Sequence, residues 1–155
     1  MVTAVSAIAN GGELVEPHLV KKLIDKKTGK IIKQFDKKVI RQVISAQTSQ
    51  DMRSAMEYVV SDGGGKIIQI PGYRIGGKTG TAQEREDRGN HAVFVSYAPY
   101  DNPEISVTVN IPYGYSSGNA ASLANMVYDY CFGKLSMDTI LSRDASSIQS
   151  ITVSD

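Results

Sequence analysis

Tyr73-Arg74-Ile75-Gly76-Gly77-Lys78-Thr79-Gly80-Thr81-Ala82-Gln83, near the middle of a 155-residue chain, decides how the rest is read. Tyr73 and Ile75, then Thr79 and Thr81, alternate as strand residues do, with i and i+2 on one face. Gly76, Gly77 and Gly80 would each weaken an ordinary strand by about 0.5–1 kcal/mol relative to Ala. They are useful where a second backbone or a ligand must come close. Two readings stand at this point. A cation, two hydroxyls and bare backbone along one extended edge make a cradle for a small anion; alternatively, the segment is a glycine-rich bend carrying a solvated lysine.

After this stretch, Glu84 to Gly89 reads as a solvated, charged connection. His91–Tyr97 and Glu104–Ile111 are rich in β-formers and are separated by the turn Pro99-Tyr100-Asp101-Asn102-Pro103. Three consecutive strands therefore predict an antiparallel meander whose first strand carries Lys78. A helix follows from about Asn119 to Phe132, with an apolar stripe of Ala120, Leu123, Ala124, Val127, Tyr128 and Cys131, closed by Gly133. Cys131 on that stripe reads as a packed small hydrophobe. Tyr113-Gly114-Tyr115, between strand and helix, reads equally as a pocket wall or as a rim or interface patch.

Before the stretch, Gln69-Ile70-Pro71-Gly72 is a turn, and Met52, Ala55, Met56, Val59 and Val60 mark a helix capped by Ser45. Pro17 to Phe35 reads as a hairpin. Its turn holds a second Lys-Thr-Gly, at Lys27, Thr28 and Gly29, where charged neighbours and a glycine suited to positive φ indicate turn chemistry. Val2, Val5, Ile8 and Ala9 form a helical stripe stopped by Asn10-Gly11-Gly12. No cap precedes this helix, so the start is expected to lie inside a longer chain.

Composition is that of a globular domain, with 41% hydrophobic and 21% charged residues. The net charge of +1 supplies no bulk field for nucleic acid or an anionic membrane. A single cysteine excludes an internal disulfide and a cysteine-rich metal site. No apolar run approaches the roughly 20 residues that span a bilayer, and no secretory signal opens the chain. His18 and His91 lie in no triad or metal-ligand pattern, so no metal or cofactor is expected. His91 opens a strand and reads as structural.

Lys78-Thr79-Gly80, on a strand between small residues, resembles the K-T-G signature of penicillin-binding proteins and serine β-lactamases. The wider pattern is more specific. Ala7-Ile8-Ala9-Asn10-Gly11-Gly12, Pro17-His18-Leu19-Val20, Gly76 to Gln83 and His91 to Pro99 together resemble the transpeptidase domain of a class B penicillin-binding protein. The resemblance runs from residue 1 to about 133, leaving 134–155 as a polar tail. It implies an α/β (α+β) fold, with a three-stranded antiparallel sheet packed by helices, and a parent that cross-links peptidoglycan.

That family attacks with the serine of S-x-x-K, and no serine in this chain is followed three positions later by lysine. The literal S-x-N match, Ser117-Gly118-Asn119, falls after the third strand, where it reads as a helix cap. The resemblance thus implies the C-terminal half of a transpeptidase domain, inactive alone. Lys78 would bring charge to the carboxylate of a D-Ala-D-Ala stem peptide or a β-lactam, and the Thr79 and Thr81 hydroxyls would bind it. Gly80 would admit the ligand, and the Thr81 N–H would be one oxyanion donor. Partners implied are the missing N-terminal half of the domain and stem peptide or β-lactam, without nucleic acid. The open edge at 104–111 predicts a homodimer, strand exchange or coverage by Ile148, Ile151 and Val153. The parent would be extracytoplasmic and membrane-anchored in the bacterial envelope, with this segment itself soluble. Rival readings are a non-catalytic ligand-binding module and a fragment of a β-lactamase or β-lactam sensor, which share K-T-G.

Overall fold

The computed structural model describes residues 1–63 and 72–142. Its spine is the expected meander: β5 (Gly76–Ala82), β6 (His91–Ala98) and β7 (Ile105–Ile111), antiparallel in the order β5-β6-β7. Register is unbroken along β5, from Gly76 opposite Tyr97 to Ala82 opposite His91. Because directly opposed residues share a face, β6 sorts its side chains cleanly. Ala92, Phe94, Ser96 and Ala98 face one way; Val93, Val95 and Tyr97 face the other.

Each face acquires its own core. The helix α3 (Ser117–Cys131) covers the first, burying Ala120, Ala121, Ala124 and Tyr128 with Phe94, Val107 and Val109. The helices α1 (Val2–Ala9) and α2 (Ala46–Ser61) cover the second, where Val5, Ala9 and Met56 gather with Tyr97. Val60 of α2 reaches the first cluster together with Ile75, so α2 runs along the β5 side of the sheet. β5 and β7 each pair with β6 alone, so among the described residues both outer sheet edges lack a strand partner.

Two helical stripes sit differently from their sequence pattern. On α3 the buried line is Ala120, Ala121, Ala124 and Tyr128, while Leu123, Val127 and Cys131 are exposed. Alanines let the helix axis approach the sheet closely, so the contact follows the smallest residues and turns the larger aliphatics outward; Cys131 is not a packed hydrophobe. On α2, Met52 is exposed, and Ser49, Met56 and Val60 are buried. Ser49 fits inward because its hydroxyl donates to the Ile8 carbonyl at 2.6 Å, tying α2 to α1. Ser45 caps α2 as expected, accepting from the Thr48 N–H.

The N-terminal half adds two small sheets. β2 (Lys22–Ile24) and β3 (Ile31–Gln34) form the expected hairpin, shorter than Pro17–Phe35, and every residue of both strands is exposed. β1 (Glu13–Val15) pairs with β4 (Val39–Gln42), a pairing that spans of three and four residues do not announce in sequence. After α3, the tail contains a further short helix, α4 (Met137–Leu141), capped by Ser136. Ile148, Ile151, Val153 and most of the turn at 69–72 lie outside the described residues. No helix among the described residues is long and apolar enough to cross a membrane.

One polar contact is sealed within the α3 core: the Ser96 and Tyr128 hydroxyls are 2.8 Å apart and both residues are fully buried. Removing one partner strands the other, at a cost of about 1–3 kcal/mol. Ser96→Ala should therefore lower the urea midpoint. Adding Tyr128→Phe to it should cost less than the two single changes summed, as read by a double-mutant cycle. Burial also pushes the Tyr97 phenol from 10.0 to about 12 and the Tyr128 phenol upward too. Unfolded tyrosines release protons near pH 10 while these two hold theirs. Their contribution is complete below that pH, and a pH–denaturation series should show stability falling as pH rises toward 12.

Candidate functional site

β5 brings Lys78, Thr79, Gly80 and Thr81 onto one exposed edge, but not onto one face. Lys78 and Gly80 stand opposite Val95 and Val93, on the face covered by α1; Thr79 and Thr81 stand opposite Phe94 and Ala92, on the α3 face. The two hydroxyls share a side, as their spacing requires, and the ammonium rises from the other. Lys78 Nζ bends along the strand and donates to the Thr79 carbonyl at 2.7 Å. Among the described residues it has no carboxylate partner, and neither threonine hydroxyl has a hydrogen bond. A positive charge and two hydroxyls are thus left available along an edge with no strand beside it.

The three glycines of the stretch have different reasons for being there. A methyl group at Gly76 would fall 2.3 Å from Cζ of Tyr97, and one at Gly77 would fall 2.6 Å from Cζ of Phe94. Both positions are filled by the aromatic rings of β6. At Gly80 the nearest atom would be Cβ of Val93, at 3.6 Å, which is ordinary contact. Nothing in the packing demands a glycine at Gly80. The second Lys-Thr-Gly shows the contrast: Asp25 Oδ1 accepts from the N–H groups of Lys27 and Thr28 and from the Thr28 hydroxyl, at 2.7–2.9 Å. Gly29 takes φ 70. That copy is a turn, as expected. The backbone N–H of Thr28, first among the groups around it, holds the Asp25 carboxyl below its usual range.

Just past Thr81 lies a side-chain cluster that sequence reasoning passed over. Glu84, placed in a solvated loop by its composition, accepts from or pairs with His91 Nε2 at 3.0 Å and accepts from the Tyr113 hydroxyl at 3.1 Å. Those two contacts, His91 first, hold its carboxyl below the usual range. Arg88 donates to the same Tyr113 hydroxyl at 3.0 Å and lies over its ring. Tyr113 and Tyr115 have φ 54 and 60, left-handed values that are uncommon for residues other than glycine and cost on the order of 1–3 kcal/mol each. Only the bulky aromatic pair around Gly114 hinted at this in sequence. Asn119, from the literal S-x-N, donates to the Gly114 carbonyl at 2.9 Å, and Ser116 caps α3. The cap is thus Ser116, one residue ahead of the match expected to supply it, and Asn119 instead fastens the turn before the helix. His18 is exposed on the N-terminal side, with Nδ1 3.3 Å from the Glu16 carbonyl.

A family model, the penicillin-binding protein transpeptidase domain, matches residues 1–129. The chain belongs to this transpeptidase family. Stage V sporulation protein D of Bacillus subtilis is 44% identical over 115 residues, covering 71% of this chain and 18% of that protein. The peptidoglycan D,D-transpeptidase MrdA of Acinetobacter baumannii is 35% identical over 147 residues, covering 84% and 21%. The chain thus spans about a fifth of the length of these relatives. Among solved structures, the D,D-transpeptidase domain of an Eggerthella lenta peptidoglycan glycosyltransferase superposes with TM-score 0.75 at 29% identity, over 86% of this chain and 32% of that one. An imipenem acyl-enzyme of Mycobacterium tuberculosis penicillin-binding protein A superposes with TM-score 0.72 at 27% identity, over 84% and 29%. The expected family and the mixed fold with its three-stranded sheet both hold.

The glycine contrast is directly testable. Gly76→Ala and Gly77→Ala should each lower stability by about 1–3 kcal/mol through overpacking against Tyr97 and Phe94. Gly80→Ala should leave the thermal midpoint within a degree or two of the parent or raise it slightly, as removal of a strand glycine does.

Proposed function

We propose that this chain supplies the carboxylate-binding wall of a serine D,D-transpeptidase site that cross-links peptidoglycan and is acylated by β-lactams. The observation that carries the reading is the β5 edge. Among the described residues, Lys78 lacks a carboxylate, the Thr79 and Thr81 hydroxyls lack partners, and Gly80 has no packing reason to be glycine. Such an edge suits a ligand bearing a carboxylate, and membership of the transpeptidase family supplies the ligand class.

In this mechanism a serine from sequence outside the chain attacks the carbonyl of the penultimate D-Ala. The terminal D-Ala leaves, and the amine of a second stem peptide then displaces the serine to form the cross-link. Lys78 provides the positive charge that holds the carboxylate and polarises the hydroxyl network around the nucleophile. Thr79 and Thr81 donate hydrogen bonds to the carboxylate. The Thr81 N–H is one of two donors to the oxyanion of the tetrahedral intermediate. No S-x-x-K occurs in the chain, so it has the clamp without the nucleophile and is inactive by itself. The complete enzyme works in the bacterial cell envelope, and no cofactor takes part.

Fluorescent penicillin tests this. The chain alone should show no covalent label, whereas the chain joined to the upstream part of the domain should be labelled. Lys78→Ala in the joined protein should slow labelling by about 10²–10³, the loss typical of removing one electrostatic stabiliser. Covalent labelling of the chain alone would overturn the missing nucleophile. Saturable, non-covalent binding that Lys78→Ala abolishes would make it a binding module.

The same reading gives the β7 edge a partner strand, from the upstream half of the domain or, in its absence, from a second copy. Sedimentation velocity of the isolated chain should therefore show concentration-dependent association. A monodisperse monomer would remove this part of the proposal.

A further inference from the structure

The Tyr113 side chain meets three groups of the segment leading into and out of the β5–β6 loop. Its hydroxyl donates to Glu84 and accepts from Arg88, and its ring lies 4.9 Å, centroid to centroid, from that of His91. Two residues on, the Tyr115 N–H donates to the Asn90 carbonyl at 3.0 Å, and the Tyr115 ring sits where a side chain at Gly89 would need room. The loop is thereby folded back onto the turn between β7 and α3. The left-handed backbone at Tyr113 and Tyr115 is what aims both rings at it. Strain of this kind persists only where surrounding contacts over-determine it. Each of the contacts seen is exposed and individually weak. The arrangement is a catch that holds without being locked.

Its position gives it a consequence. Ala82, the last residue of β5, pairs with His91, so the loop leaves the sheet one residue after Thr81, at the end of the edge that carries Lys78. We propose that Tyr113 is a positioning residue: by holding the loop through Glu84 and Arg88, it keeps the Thr81 end of the edge open to ligands that extend past it. The assignment rests on the reading of β5 as the ligand-binding strand and adds a determinant of ligand size.

The test uses the labelled protein described above. Acylation rates are compared for a penicillin with no acyl side chain, 6-aminopenicillanic acid, and for one with a bulky side chain. Tyr113→Phe removes both hydroxyl contacts while keeping the ring. It should lower the bulky-to-small rate ratio by about threefold to tenfold, the scale of one or two exposed hydrogen bonds. Glu84→Ala should reproduce that change, and Glu84→Gln, which retains an acceptor, should restore most of the ratio. Lys78→Ala should slow both compounds alike. An unchanged ratio, or equal slowing of both compounds by Tyr113→Phe, would overturn the proposal. Absence of labelling in the parent protein would instead overturn the reading of β5. Hydrogen exchange in this chain, with no penicillin present, tests the catch itself. Amides of 84–90 should exchange several-fold faster in Tyr113→Phe while those of α3 do not change, and unchanged exchange at 84–90 would overturn the catch.

Discussion

The fold depends on two aromatic rings lying over two glycines. Tyr97 and Phe94 extend from opposite faces of β6 and cover Gly76 and Gly77, whose missing side chains let β5 lie close enough to pair. Tyr97 belongs to the core shared with α1 and α2, and Phe94 to the core shared with α3. A single dipeptide therefore couples the strand that carries Lys78 to both layers of helix. A fully buried aromatic is among the larger apolar contributions a small domain has. Displacing either ring loosens a core and the β5 pairing together.

Polar contacts then fix what apolar contacts leave adjustable. Ser49 to the Ile8 carbonyl sets α2 against α1, the Tyr97 hydroxyl donates to the Arg53 carbonyl, and Ser96 with Tyr128 sets α3 against the sheet. Arg53 closes the corner between α2 and the turn after β6, donating to the Tyr100 carbonyl with its guanidinium near the rings of Tyr97 and Tyr100. These few contacts orient the β5 edge from behind. In front, among the described residues, Lys78 hydrogen-bonds to the Thr79 carbonyl and to no carboxylate, and the two threonine hydroxyls have no hydrogen bond.

Sequence reasoning found the meander, the two long helices, the hairpin and the Lys78 edge, because each is written in local periodicity or in turn residues. Ser45, Gly29 and Gly133 behaved as their caps and turns required. It missed features whose cause is non-local. The β1–β4 pairing joins short segments 24 or more residues apart. The buried line of α3 is chosen by how closely alanines approach the sheet, which hydrophobicity alone ranks wrongly; hence the outward Leu123, Val127 and Cys131. Glu84 and Arg88 carry the composition of a solvated loop, and the partner they share reaches them through the left-handed backbone of Tyr113. At the candidate site itself the residue types were legible. Their division between two faces was implicit in strand alternation, yet the different reasons for Gly76, Gly77 and Gly80 needed the neighbouring strand.

That division between faces constrains the shape of what can be held. Lys78 rises from one side of β5 and Thr79 and Thr81 from the other, so the line that all three border is the strand's rim, which has no strand partner among the described residues. A ligand touching all of them must be thin and extended there, running beside the backbone much as another strand would. For the stem peptide proposed as ligand, such a rim would favour an extended, peptide-like geometry before any catalytic group is engaged.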